Sequence, residues 1–193
     1  MHVVFRYTID LLTRFSNDSR IVIWDLYNEP ECSKQVPVVL PFAKEVYSAA
    51  VIANPRQPLT FGVASFNFSA PLAQFELESS DIITFHNYEP LAETMQRVAE
   101  FRKWNRPLIC TEYMARTVGS TFHTHTFYFH KEKIGAVSFG LVAGKIQTYF
   151  PWRSPVNASI PLVWFHDIFN RTGEPYSRYE IQFFKDLKKS NAK

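Results

Sequence analysis

A parallel α/β fold is what this sequence predicts, and three observations predict it. Short apolar, β-branched runs begin near residues 21, 59, 82, 107 and 134. Segments with helical spacing of apolar residues fill the gaps between them, and that alternation at this pitch implies a parallel sheet with right-handed crossovers. Two of the runs also end alike, on a glutamate.

Taken in order, Tyr7, Leu11, Leu12 and Phe15 fall at helical spacing, and Asn17-Asp18-Ser19 ends that helix. Residues 21–27 then read as a strand buried on both faces, because they open as an apolar, β-branched run rather than an alternating one. Pro30 cannot donate to a ladder, which leaves Asn28 and Glu29 at the strand's carboxyl end. Pro37 and Pro41 bracket the start of a helix that runs to Asn54-Pro55. A strand at Leu59–Val63, a polar loop at 64–70 and a short helix at Pro71–Glu78 follow.

Asp81–Tyr88 is the third strand, where period-2 alternation sets Thr84, His86 and Tyr88 on one face. Pro90 opens a helix with Leu91, Met95, Val98 and Phe101 or Arg102 as its apolar stripe. Pro107 starts the fourth strand, which ends at Glu112 and points Cys110 inward with it as a packed thiol. A turn at 119–120 leads to a helix over about 121–132, and the fifth strand covers Ile134–Gly140. Leu141 to Tyr176 is a long connection rich in aromatics, expected to form the wall of a site. Ser177-Arg178-Tyr179-Glu180 has the capping-box pattern, and Ile181, Phe184, Leu187 and Lys188 continue it as a final helix.

Glu112 lies 83 residues after Glu29. A (β/α)8 barrel spends about 30 residues per strand-helix unit, so the two glutamates belong to strands three apart and face each other across a barrel mouth. Five strands are visible where a barrel closes with eight, and the first helix has no strand before it. The chain therefore reads as a partial (β/α)8 TIM barrel, strands four to eight, in a single incomplete domain over 1–193 that lacks the first three strand-helix units. Open sheet edges would then favour self-association. Paired carboxylates across a cleft suit glycosidic-bond hydrolysis: one protonates the leaving oxygen, the other attacks the anomeric carbon or activates water.

Composition narrows the alternatives. A net charge of +3, with the only basic cluster at Lys185, Lys188 and Lys189, gives no nucleic-acid footprint. No apolar stretch reaches the about 18 residues of a membrane span. The start of the chain lacks the shape of a signal peptide, whereas Asn-x-Ser/Thr sequons at Asn17, Asn67, Asn157 and Asn170 favour secretion. Cys32 and Cys110 make no disulfide framework.

Four blocks, Trp24-Asp25-Leu26-Tyr27-Asn28-Glu29-Pro30, Phe85-His86-Asn87-Tyr88, Thr111-Glu112-Tyr113-Met114-Ala115-Arg116 and Gly140-Leu141-Val142-Ala143-Gly144-Lys145, stand in the order and spacing of a known family. Together they resemble the catalytic half of cellulase-like, family-five-like retaining glycoside hydrolases, which include 1,4-β-xylanase types. The resemblance implies an O-glycosyl hydrolase acting on a β-linked polysaccharide or glycoside by double displacement. It implies Glu29 as acid/base, Glu112 as nucleophile, Asn28 on the sugar 2-hydroxyl, and His86 and Tyr88 holding substrate and nucleophile, with the Tyr88 hydroxyl positioning Glu112. Retention implies carboxyl groups about 5 Å apart, Glu29 protonated and Glu112 ionised.

Family members place a tryptophan on the last strand where this chain has Ser138-Phe139-Gly140. Phe139 is therefore expected to stack on the sugar, with Trp152 as a platform and Lys145 and Gln147 as polar contacts. No cofactor and no metal is implied. The alternative is a catalytically inactive barrel remnant that at most binds carbohydrate. A third reading, a metal-dependent hydrolase using His86 with His123, His125 or His130, suffers because His123 and His125, two apart on a helix, face different ways.

Overall fold

The computed structural model describes residues 2–33 and 36–190. The chain falls into two compact units, one made of Met1–His86 with Arg97–Ile109, the other of Asn87–Gln96 with Cys110–Lys193. The element order is α1 (His2–Phe15), β1 (Trp24–Asn28), α2 (Val36–Ala53), β2 (Leu59–Val63), α3 (Pro71–Ser79), β3 (Ile83–His86), α4 (Leu91–Arg102), β4 (Leu108–Glu112), α5 (Phe127–Lys131), β5 (Gly135–Ala136) and α6 (Arg178–Ser190). The strands are hydrogen-bonded in chain order, with β1-β2 and β2-β3 parallel, which is the α/β pattern the alternating sequence predicts.

In the first unit the core forms where apolar strand residues meet helix stripes. Phe61 of β2 packs with Val39 and Ala43 of α2 and Leu72 of α3, and the rings of Tyr47 and Phe75 close over it. Leu12 of α1 joins Ala50 and Leu59 in an adjoining cluster. Beneath the strands a buried hydroxyl network satisfies itself: Thr60 and Thr84 share a hydrogen at 2.9 Å, and Ser80 Oγ accepts from the Phe61 amide. Arg106 donates to the carbonyls of Leu77, Glu78 and Ser80, closing the end of α3.

Several expected elements differ. The first strand begins at Trp24, because Ile21 turns back to bond Asp18 O. It is half-exposed rather than covered on both faces, with β2 as its sheet neighbour on one side. Along α4 the buried stripe is Thr94, Val98 and Phe101, and Met95 is exposed. The fifth strand shrinks to Gly135–Ala136; Val137 N and Phe139 N still bond Cys110 O and Tyr113 O, but without a regular ladder.

In the second unit, the expected 121–132 helix opens as a π-turn at Phe122–Thr126 before α5, with Thr121 capping it. Glu180 N bonds Ser177 Oγ at the start of α6, as a capping box requires, yet the Glu180 carboxylate does not return to the cap. It pairs with the Arg116 guanidinium through two 2.7 Å bonds, both side chains being nearly buried. Arg116 also donates to Trp164 O and Asp167 O, so one side chain ties α6 and the long connection together.

Candidate active site

Each unit carries one of the two candidate glutamates. In the first, Glu29 follows the last residue of β1 and takes the left-handed conformation (φ 48°, ψ 52°), held there as its N–H bonds Gly62 O at 2.9 Å. A non-glycine residue in that region costs about 1 kcal/mol or more, so the surrounding bonds impose it. Its Oε1 lies 2.6 Å from His86 Nδ1 at the end of β3. His86 is buried, and the Glu29 side chain is 29% exposed. The His86 hydrogen bond holds the Glu29 carboxyl below the usual range against the opposing pull of burial. That direction runs against the protonated acid the resemblance implies for Glu29.

Gly62 is the floor of this half. A Cβ there would meet Asp25 Oδ2 at 2.9 Å, His86 Nε2 at 3.4 Å and Asn28 Oδ1 at 3.5 Å, so three polar side chains close over a residue without one. Asp25 Oδ1 accepts the Gly62 amide at 3.1 Å. Glu31, on the short turn Pro30–Cys32, accepts from Ala64 N at 3.2 Å and Ser65 N at 2.9 Å and fixes the loop after β2. Neither Asp25 nor Glu31 carries a sequence signal of such a role, since Asp25 lies inside a strand run and Glu31 follows the proline that ends it.

In the second unit Glu112 ends β4, and the Tyr88 hydroxyl donates to its Oε2 at 2.7 Å. The Tyr88 ring stands edge-on to Trp152, centroids 4.9 Å apart, and also meets His166 at 5.4 Å and Phe139 at 6.5 Å. Of these rings Phe139, Trp152 and His166 line a cleft of about 740 Å³ built from the long connection, together with Gln147, Tyr149 and Arg153 among others. Phe139, Trp152 and Gln147 thus come together there. Lys145 does not: it is exposed on the turn that Gln147 N closes on Gly144 O, and it is absent from the lining. His166 was missed from sequence because an isolated histidine in a loop carries no periodic signal.

Cys110 is fully buried and burial pushes its thiol pKa well up, so it stays a packed thiol as parity predicts. Neither cysteine is in a disulfide. His125 is buried with both nitrogens engaged, Nε2 donating to Glu89 O at 2.9 Å and Nδ1 receiving from the Thr124 hydroxyl at 2.8 Å. Burial lowers its pKa, and with no free lone pair it is a structural histidine. His123 is exposed, its ring centroid 4.8 Å from that of Phe183 at a 45° tilt. No helix among the described residues is long and apolar enough to cross a membrane.

Strand-helix alternation with glutamates at the carboxyl ends of parallel strands defines the barrel-type α/β class. Residues 5–144 match the model of Cellulase (glycosyl hydrolase family 5), and the chain belongs to that family. Among solved structures it is similar to Ruminococcus gnavus beta-glucuronidase, at 16% identity and a TM-score of 0.68 over 96% of this chain and 35% of that one. The same enzyme with uronic isofagomine gives 17%, 0.66, 96% and 34%, and with D-glucaro 1,5-lactone 17%, 0.63, 93% and 34%. At that identity the likeness shows the fold. This chain spans about a third of the length of those structures, as 35% and 34% coverage state. No curated protein sequence matches it.

Proposed function

We propose that this chain carries the two catalytic carboxylates of a retaining β-glycoside hydrolase, with Glu112 as nucleophile and Glu29 as acid/base. One observation above all supports the reading: Glu112 is held by a tyrosine hydroxyl and Glu29 by a histidine, each at the carboxyl end of a strand. A carboxylate accepting a phenolic hydrogen bond is oriented for attack, because its remaining lone pairs are aimed while the bonded oxygen is fixed. Glu112 attacks the anomeric carbon as Glu29 protonates the leaving oxygen; Glu29 then deprotonates the water that releases the sugar. The Glu29–His86 bond opposes that first proton. Covering the half-exposed Glu29 carboxyl with a glycoside strengthens the burial effect that already pulls its pKa upward. In this reading Asn28, at the same strand end, bonds the sugar 2-hydroxyl.

The test is hydrolysis of aryl β-glucosides and β-xylosides by the full chain. Turnover should vanish in Glu112→Gln, persist in chelator, and yield product of unchanged anomeric configuration by NMR. Inverted product, or Glu112→Gln turning over at the unaltered rate, would remove these assignments.

A further inference from the structure

The cleft in the second unit contains a buried histidine whose two ring nitrogens differ. His166 is 1% exposed. Its Nδ1 lies 2.5 Å from the carbonyl oxygen of Met114. A carbonyl can only accept, so Nδ1 carries the hydrogen and donates it. The other nitrogen, Nε2, then presents a lone pair, and no atom of the described residues offers it a hydrogen. Burial pushes the ring's pKa below its ordinary value, which keeps that lone pair available at neutral pH.

The position is built. Gly140, at φ +83°, backs the histidine, and a Cβ there would stand 2.7 Å from His166 Cβ and 3.0 Å from Asp167 Oδ1. His166 lines the cleft, with its ring centroid 5.6 Å from Trp152 and 5.1 Å from Phe139. A lone pair flanked by aromatic carbon repels a carboxylate or phosphate and accepts from a neutral O–H. It suits a ligand that offers a hydroxyl beside an apolar C–H face, which is the chemistry of a pyranose ring.

We infer that His166 is a substrate-binding residue whose Nε2 accepts a hydrogen bond from a hydroxyl of a saccharide lying against Trp152. This deepens the reading above and rests on it through Tyr88, which touches His166 and holds Glu112. The acceptor is obligatory: with Nδ1 committed to Met114, the ring cannot turn over to offer a donor without breaking that bond.

The test uses the full chain as Glu112→Gln, labelled with [15N]histidine and titrated with cellotriose and xylotriose. Long-range 1H–15N spectra should show His166 as the Nδ1–H tautomer, and its Nε2 resonance should move upfield as sugar binds. His166→Phe, which keeps the ring volume, should weaken affinity about three- to tenfold with the melting transition unchanged. Four results overturn the inference: a proton on Nε2 in the free chain, sugar binding that leaves Nε2 unmoved, equal affinity in a folded His166→Phe, or neither trisaccharide binding. Where the Phe variant does not fold, the Nε2 shift in the histidine protein decides alone. Aryl-glycoside turnover is read separately, so a chain that binds through His166 yet never hydrolyses sinks the catalytic reading and keeps this one.

Discussion

Replacing Glu76 by glutamine should stabilise the chain by an amount that grows with pH. Glu76 lies on the inner stripe of α3 with Leu72, Ala73 and Leu77, fully buried, and neither carboxyl oxygen meets a donor among the described residues. Burial first, and then the negative charges of Glu31 and Asp25, push its pKa from 4.5 to about 10. Between those values the folded chain holds a proton that the unfolded chain has released. Stability therefore falls as pH rises, by about 1.4 kcal/mol per unit from the ordinary carboxylate pKa upward. Glutamine is neutral in both states and equally buried, so it removes that slope and little else. At pH 7 the advantage of the glutamine variant is about 3 kcal/mol, and it vanishes near pH 4.5, where both chains are neutral at this position. Urea unfolding followed by tryptophan fluorescence across pH 4.5 to 8 measures it. Equal stability at pH 7, or a gain that does not change with pH, would mean that Glu76 is ionised in the folded chain and would refute the reasoning.

Three further substitutions test other parts of the structure. Gly62→Ala should cost about 1–3 kcal/mol in urea unfolding, since its Cβ meets Asp25 Oδ2 at 2.9 Å, and a neutral result would show that Asp25 moves freely. Glu180→Leu leaves the buried Arg116 without its ion pair and should cost about 3–5 kcal/mol, while Glu180→Leu with Arg116→Met recovers most of it; equal loss in both would place the energy elsewhere. Tyr88→Phe removes one hydrogen bond to Glu112 and, on the proposed function, should lower kcat about 10- to 100-fold with KM little changed; an unaltered kcat would refute the positioning role proposed for Tyr88.

Much of the α/β pattern is legible in the sequence because its signals are local. The apolar run Leu59–Val63 is a strand with the bounds its composition suggests, and Pro71 opens α3 at its first residue. Parity alone turns Cys110 inward. The misses fall where neighbours decide. Isoleucines 21 and 23 read as a covered strand, yet the turn on Asp18 delays β1 and the sheet pairs it on one side. Met95 and Thr94 differ by one position on α4, and Thr94 is buried because Asn87 and His125 bond it.

The sequence by itself determined the alternation of strands and helices and put Glu29 and Glu112 at strand ends, since both follow from periodicity and proline placement within a few residues. Only the tertiary structure decided what those carboxylates meet: His86 lies 57 residues from Glu29, as its hydrogen bond records, and Tyr88 lies 24 from Glu112. It also decided that Glu76 loses water and that His166 keeps one lone pair unmatched. Solvation and hydrogen-bond partnership belong to groups brought together across the chain, and no local run of residues encodes them.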